Sequence, residues 1–106
     1  MITVTYHRNG NEVVVEGHAN SGEKGHDLIC ASVSILVYTL ASFAENVKDA
    51  GQVNNPIIAI EEGNAWILCD PHFTLKPPVT LVFDSICAGF ELLAKNYPDN
   101  ISYEIV

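Results

Sequence analysis

Residues 28–51 read Leu-Ile-Cys-Ala-Ser-Val-Ser-Ile-Leu-Val-Tyr-Thr-Leu-Ala-Ser-Phe-Ala-Glu-Asn-Val-Lys-Asp-Ala-Gly, with apolar side chains recurring every three or four positions. At 100° per residue these side chains fall on one broad arc, as in a helix with one face in a core. They are Ile29, Val33, Leu36, Val37, Leu40, Phe43, Ala44 and Val47. Gly51 is suited to ending the helix, because glycine readily adopts the left-handed conformation found just past a helix end. The stretch therefore predicts a long one-sided helix over residues 28–50.

The first part of this stretch is apolar enough that a membrane span must also be considered. Residues 28–44 carry no charge, and a span needs roughly 17 residues. Four serine and threonine hydroxyls interrupt the run, and the one-sided pattern favours a helix in the core of a soluble protein. The N-terminus has neither the basic start nor the apolar block of a secretory signal. We therefore expect a cytoplasmic protein with no membrane contact.

Two β-hairpins are predicted around the long helix. Residues 2–8 alternate in polarity, residues 9–10 are the hairpin dipeptide Asn-Gly, and residues 12–17 are rich in β-branched side chains. Beyond the helix, residues 57–61 and 65–69 are apolar runs separated by Glu-Gly-Asn. Each hairpin places two antiparallel strands side by side.

A second helix and a last strand complete the pattern. Pro77 and Pro78 suit a helix start, and residues 96–98 end the helix. Its predicted apolar face comprises Leu81, Val82, Ile86, Phe90 and Leu93. Residues 101–106 alternate as a strand. The order ββα-ββα-β predicts an α+β fold in which two helices pack on one mostly antiparallel sheet, with residues 1–106 forming a single domain.

Charge and cysteine content restrict the possible functions. The chain of 106 residues has 13 acidic and 5 basic side chains and a net charge of -8. Such a surface repels phosphate backbones and attracts basic peptides, so we expect no direct nucleic-acid binding. Cys30, Cys69 and Cys87 form no close pairs, which fits a reducing compartment and offers no zinc site. Cys69 and Cys87 are assigned to packing.

Cys30 is the candidate nucleophile. Asp27 is suited to the N-cap of the long helix, which would place Cys30 at the third helical position. There the unpaired amides and the positive end of the helix dipole would favour the thiolate that attacks carbonyls. Ser34 lies one turn further along the same flank. The alternative, a small buried apolar residue at position 30, stays open.

Two histidines could serve Cys30 as a base. His18 ends the second strand and would be held by the sheet, so it is the preferred general base. His26 is the rival, four residues before the cysteine and just outside the expected helix. Gly22 and Gly25 bracket a loop between base and nucleophile, which we expect to act as a lid that closes over an extended peptide.

The segment from residue 17 to residue 34 resembles the signature of the bacterial ribosomal-processing cysteine proteases, the Prp family. It has Gly-His, a glycine-containing loop, Asp-Leu-Ile-Cys-Ala and a serine four residues beyond the cysteine. The resemblance implies a homodimeric cysteine endopeptidase that removes the N-terminal extension of a large-subunit ribosomal protein. It implies a catalytic pair of His18 and Cys30, with supporting roles for Asp27 and Ser34. A thiol and an imidazole need no cofactor and no metal.

Two functions of other classes stay open. The chain could be a non-catalytic ribosome-assembly module that binds a basic protein tail, or a thiol hydrolase acting on a small ester or thioester. Loss of the Cys30 sulfur would leave the first function intact. Turnover of small acyl substrates but not of peptides would indicate the second.

Overall fold

Within residues 1–17 and 24–106, which the computed structural model describes, five strands and two helices follow one another in the order ββα-ββα-β. Residues 24–27 are described by their backbone alone. The strands are β1 (Ile2–His7), β2 (Glu12–Glu16), β3 (Val53–Glu61), β4 (Asn64–Pro71) and β5 (Ile101–Ile105). The helices are α1 (Lys24–Asp49) and α2 (Lys76–Asn96), and short 3-10 turns lie at Arg8–Gly10 and Phe73–Leu75. The predicted α+β order is confirmed.

The strands form one mixed sheet in the order β3-β4-β2-β1-β5. Three of the neighbouring pairs are antiparallel, and β1 with β5 is parallel, as in the pairs Ile2 with Ile101 and Val4 with Tyr103. The parallel pair arises because α2 carries the chain back along the sheet before β5 begins, as a crossover connection requires. The prediction of a mostly antiparallel sheet is confirmed.

Both helices pack on the same face of the sheet. The inward side chains of β1, β2 and β4 alternate with outward ones, so one face supplies the core. Phe83 of α2 is fully buried at its centre, with its ring 6.1 Å from that of Tyr6 and 6.5 Å from that of Phe43. These aromatic contacts join the sheet and the two helices in one core.

The apolar arc predicted for the long helix is the face that α1 buries. All eight of its residues are buried or half-buried against the core. Gly51 ends the helix with a φ of 68°, and the N–H of Gln52 donates to the carbonyl of Val47 at 2.9 Å. The N–H of Gly51 donates to the carbonyl of Lys48 at 3.0 Å, which completes a Schellman motif.

The predicted start of this helix is wrong. α1 begins at Lys24, so Asp27 lies inside the helix and is not its N-cap. Gly25 and His26 are helical too. The prediction treated Gly25 as part of a loop, but one glycine inside a helix costs only about 1 kcal/mol, which neighbouring helix-forming residues and packing can offset.

The buried face of α2 also differs from the prediction. Leu81 is 65% exposed, whereas Val79, Phe83 and Cys87, spaced four residues apart, are buried. Leu81 is two positions from Val79, about 200° around a helix, so it points away from that row. Phe90 is buried as predicted.

The first hairpin is joined by a longer connection than a two-residue Asn-Gly turn. His7 pairs with Glu12, so four residues link β1 to β2. They comprise the Arg8–Gly10 turn and Asn11, which has a φ of 50° and is fully buried. The Asn11 side-chain amide donates to Thr80 Oγ1 at 3.0 Å, so the connection is tied to α2. This contact over a long sequence separation overrides the local turn signal.

β3 is longer than the predicted run of residues 57–61. It begins at Val53 and passes through Pro56, with an irregular register between Asn54 and Ile57 and a φ of 42° at Asn55. A proline is tolerated because β3 is an edge strand, where one side of the backbone has no neighbour to bond.

The end of the sheet near His7 is held by an ion-pair network. The Arg8 guanidinium donates to Asp84 through Nε and Nη2, both at 3.0 Å, and the Tyr6 hydroxyl donates to Asp84 Oδ1 at 2.8 Å. The bond from Arg8 holds the pKa of Asp84 below its usual value. Burial raises the pKa of Tyr6, so its hydroxyl keeps the proton that it donates.

Each helix is long and apolar enough to cross a membrane by length and composition alone. One face of each, however, packs on the sheet and contributes to the core. Core helices of globular proteins satisfy the same length and hydropathy test. The packing therefore fits the prediction of a core helix for residues 28–44.

Candidate active site

A cleft of about 420 Å³ opens between α1 and one end of the sheet. Its helix wall carries Cys30, Ser34 and Tyr38, with Val33 and Val37 behind them. Its sheet wall is formed by the start of β1, the end of β2 and the β3–β4 turn. The residues of that wall are Ile2, Val15, Gly17, Ile60, Glu61, Glu62, Gly63, Asn64 and Ala65. Segments distant in sequence thus enclose one space beside the Cys30 thiol.

Cys30 is the one cysteine of the three that lines this cleft. It is half-buried, whereas Cys69 and Cys87 lie fully within the core. Burial raises the pKa of Cys69 to about 11 and that of Cys87 to about 12, which keeps both as neutral thiols. The assignment of Cys69 and Cys87 to packing agrees with these positions.

The predicted helical position of Cys30 needs correction. Because α1 begins at Lys24, Cys30 lies in the second turn and not at the third helical position. The unpaired amides of a helix belong to its first four residues, so the Cys30 thiol does not lie beside amides that its own position in the first turn would supply. What places the sulfur is the flank of α1 that borders the cleft.

Ser34 and Tyr38 lie on the same flank as Cys30, at successive intervals of four residues. At 1.5 Å per residue the flank from Cys30 to Tyr38 extends about 12 Å. Ser34 is exposed one turn from the sulfur, and Tyr38 is 58% exposed at the next turn. The structure thus brings Cys30 and Ser34 together, and it adds Tyr38, which the predicted site did not include although Tyr38 follows Ser34 at the same four-residue spacing.

The backbone at Gly17 forms the part of the sheet wall where β2 ends. Gly17 has a φ of 96°, and its N–H donates to the carbonyl of Gly63 at 2.9 Å. A Cβ at this position would collide with the carbonyl oxygen of Met1. Only glycine fits this close approach, which lets the end of β2 lie against the start of β1 beside the cleft.

The remaining predicted site residues are described in part or not at all. His18 and Gly22 lie outside the described residues. Gly25, His26 and Asp27 are described as helical backbone, and their side chains also lie outside the description. Gly25 and His26 are therefore part of α1, where the sequence predicted a loop.

Two acidic residues line the cleft on its sheet side. Glu61 and Glu62 at the β3–β4 turn are both exposed, and no lysine, arginine or histidine is among the described residues that line the cleft. The sequence identified a turn here but gave no sign that it faces Cys30. In the described part of the chain, no group of His, Cys, Asp and Glu side chains is placed to hold a metal ion.

Comparison with known proteins identifies the family. A family model described as cysteine protease Prp matches residues 1–102. The chain belongs to the Prp family. A ribosomal processing cysteine protease Prp of Staphylococcus aureus is 40% identical over 109 residues, covering 94% of this chain and 91% of that protein. The predicted resemblance is confirmed.

Solved structures share the fold. A crystal structure of a Streptococcus mutans protein superposes with a TM-score of 0.69 at 28% identity, covering 99% of this chain and 91% of that one. A structure of S. aureus Prp with a covalently linked product peptide superposes with a TM-score of 0.73 over the full length of both chains, at 23% identity. The Prp chain described here is a cysteine protease, with Cys30 at its cleft.

Proposed function

We propose that this Prp-family chain is a ribosomal processing protease that removes the N-terminal extension of a large-subunit ribosomal protein. In this proposal residues 1–106 form one protease domain, and His18 and Cys30 are the catalytic dyad. The observation that carries the proposal is the position of Cys30, the one thiol of the chain that borders an open cleft. The name of the S. aureus relative supports the ribosomal substrate.

The chemistry follows from a thiol and an imidazole. His18 takes the proton of Cys30, and the thiolate attacks the carbonyl carbon of the scissile peptide bond. When the tetrahedral intermediate collapses, the C–N bond breaks and the imidazolium gives its proton to the departing amine. Water, deprotonated by the same imidazole, then cleaves the thioester and releases the second product. A covalently linked product peptide in an S. aureus Prp is consistent with such an intermediate.

Supporting roles are proposed for two further residues. Ser34 is one helical turn from Cys30 on the same flank, so its hydroxyl can bond near the sulfur or the substrate carbonyl. Asp27 precedes Cys30 by three positions in α1, which are neighbouring positions on a helix surface. Its proposed role is to orient the base, since the cap role is removed by the start of α1 at Lys24.

The decisive experiment mixes the protein with a ribosomal protein that carries the N-terminal extension and measures the product masses. The expected result is one defined truncation that is lost in Cys30→Ala and in His18→Ala. His72→Ala is the matched control, because His72 is exposed at the start of a 3-10 turn and is not among the residues lining the cleft. A truncation that persists in Cys30→Ala would refute the proposal.

The same assay separates the open alternatives. Cleavage that survives His18→Ala but not His26→Ala would assign the base to His26. If Cys30→Ala cells assemble ribosomes normally, the chain acts as a non-catalytic assembly module. Turnover of small thioesters with no cleavage of peptides would indicate a small-substrate hydrolase.

We also propose that the protein is a cytoplasmic homodimer that pairs through the sheet face opposite the helices. That face carries exposed or half-buried apolar side chains in adjacent strands, with Val14 beside Trp66 and Trp66 beside Ala59. Trp66 is 43% exposed. Trp66→Glu should give a monomer in sedimentation analysis, whereas Ile35→Glu on the outer side of α1 should not. Cell fractionation tests the location.

A further inference from the structure

We infer that Glu61 and Glu62 make this cleft selective for a substrate that carries a lysine or arginine within about four residues of the scissile bond. The inference rests on the proposed function, since it concerns the peptide that Cys30 would cleave. Both glutamates line the same cleft as Cys30 and are exposed. They are therefore in the wall that an occupying peptide would touch.

The electrostatics of the cleft favour a cation. The β3–β4 turn gives the rim of the cleft two acidic residues, and among the described lining residues none is basic. Much of the remaining lining is apolar, with Val33, Val37 and Ile60 among it. Apolar walls of low dielectric focus the field of charged groups in a cleft, which strengthens the attraction between the two carboxylates and a cationic ligand.

An aromatic side chain gives the cleft a second feature suited to a basic residue. Tyr38 is 58% exposed and lines the same space as the two glutamates. Lysine and arginine have long apolar stems that pack on aromatic rings, and their charged heads are attracted to a ring face. A cleft with an exposed ring on its helix wall and acidic residues on its sheet wall matches both ends of such a side chain.

The length of the cleft limits where in the substrate this residue can lie. The flank from Cys30 to Tyr38 extends about 12 Å at 1.5 Å per residue. An extended peptide advances about 3.3 Å per residue. About four residues of a peptide lying along this flank therefore span the distance from the carbonyl attacked by Cys30 to Tyr38. A basic residue further away would lie outside the cleft.

The test compares peptides that carry lysine or glutamine at each of the four positions on either side of the cleavage site. We measure kcat/KM with the wild-type protein and the Kd of fluorescently labelled peptides with Cys30→Ala. At one or more positions lysine should be favoured about five-fold in both measurements, as expected of a partly solvated ion pair. The preference should fall below two-fold in the double variant Glu61→Gln, Glu62→Gln, and it should weaken in 0.5 M salt.

The matched control is the double variant Glu91→Gln, Glu104→Gln, which removes the same two charges outside the cleft. It should keep the full preference for lysine. Cleavage of lysine and glutamine peptides at equal rates would overturn the inference alone, as would an equal loss of preference in the two double variants. Binding with the expected preference but no cleavage by the wild-type protein would overturn the proposed function and leave the specificity of the cleft standing.

Discussion

Replacing Gly17 with alanine should destabilise the protein by about 3 kcal/mol, because two independent costs meet at this position. A φ of 96° costs an alanine about 1–2 kcal/mol. The added Cβ would also collide with the Met1 carbonyl oxygen, a backbone atom that no side-chain rotation can move. Relieving the collision strains the hydrogen bond of 2.9 Å from Gly17 to Gly63, which is worth about 1 kcal/mol.

This cost converts to a large change in melting temperature. An unfolding entropy of about 2.1 cal/mol/K per residue gives about 0.22 kcal/mol/K for 106 residues. Each kcal/mol then lowers Tm by about 4.5 °C, so Gly17→Ala should melt about 13 °C below the wild-type protein. Thermal denaturation followed by circular dichroism measures this difference directly.

Substitutions at two other glycines separate the cost of the positive φ from the cost of the collision with Met1. Gly51 has a φ of 68° but open space around a new Cβ, so Gly51→Ala should cost only the conformational part, about 1–2 kcal/mol. Gly10 has open space and no positive φ, so Gly10→Ala should stay within about 0.5 kcal/mol of wild type. If Gly17→Ala melts within 3 °C of Gly51→Ala, the close approach of Gly17 to Met1 adds no separate cost, contrary to this prediction.

Three further predictions concern the thiols, the ion pair and the core. Iodoacetamide should modify Cys30 alone in the native protein and all three cysteines in urea, as counted by mass spectrometry, because the two buried thiols are shielded and protonated. Since the bond from Arg8 lowers the pKa of Asp84 in the folded state, its contribution to stability is present above the ordinary value of 3.8 and is lost as pH falls through the lower folded value. Asp84→Asn should therefore lower Tm at pH 7, and the difference in Tm between this variant and the wild-type protein should become smaller towards pH 2. An equal difference at the two pH values would contradict this. Phe83→Ala should cost about 3–5 kcal/mol in urea unfolding, and a loss under 2 kcal/mol would contradict its central place in the core.

The elements that could be predicted from the sequence are those with a strong local signal. The apolar arc of α1 and the glycine at its end were visible because period and cap chemistry are encoded within one segment. The start of α1 was not, since Gly25 and Asp27 each fit a loop or a cap as well as a helix. Leu81 was predicted to be buried because it follows the helical spacing of the apolar residues around it. Which face of the helix is buried depends on the elements that the helix packs against.

Only the helix wall of the cleft could be predicted from the sequence. Cys30 and Ser34 share a segment, so their common flank follows from helical spacing. Glu61 and Glu62 reach the same space only because β4 pairs with β2 and brings the β3–β4 turn beside Gly17. That pairing depends on contacts across some fifty residues, for which a single sequence carries no direct signal.

The parallel pairing of β1 with β5 sets the two chain ends at opposite ends of the sheet. Ile2 lines the cleft, whereas the Val106 N–H donates to the Tyr6 carbonyl at 2.9 Å, beyond the other end of β1. An affinity tag or fluorescent fusion joined after Val106 would therefore emerge away from the cleft. The same fusion joined before Met1 would start beside the cleft that Cys30 lines and compete with any peptide for that space.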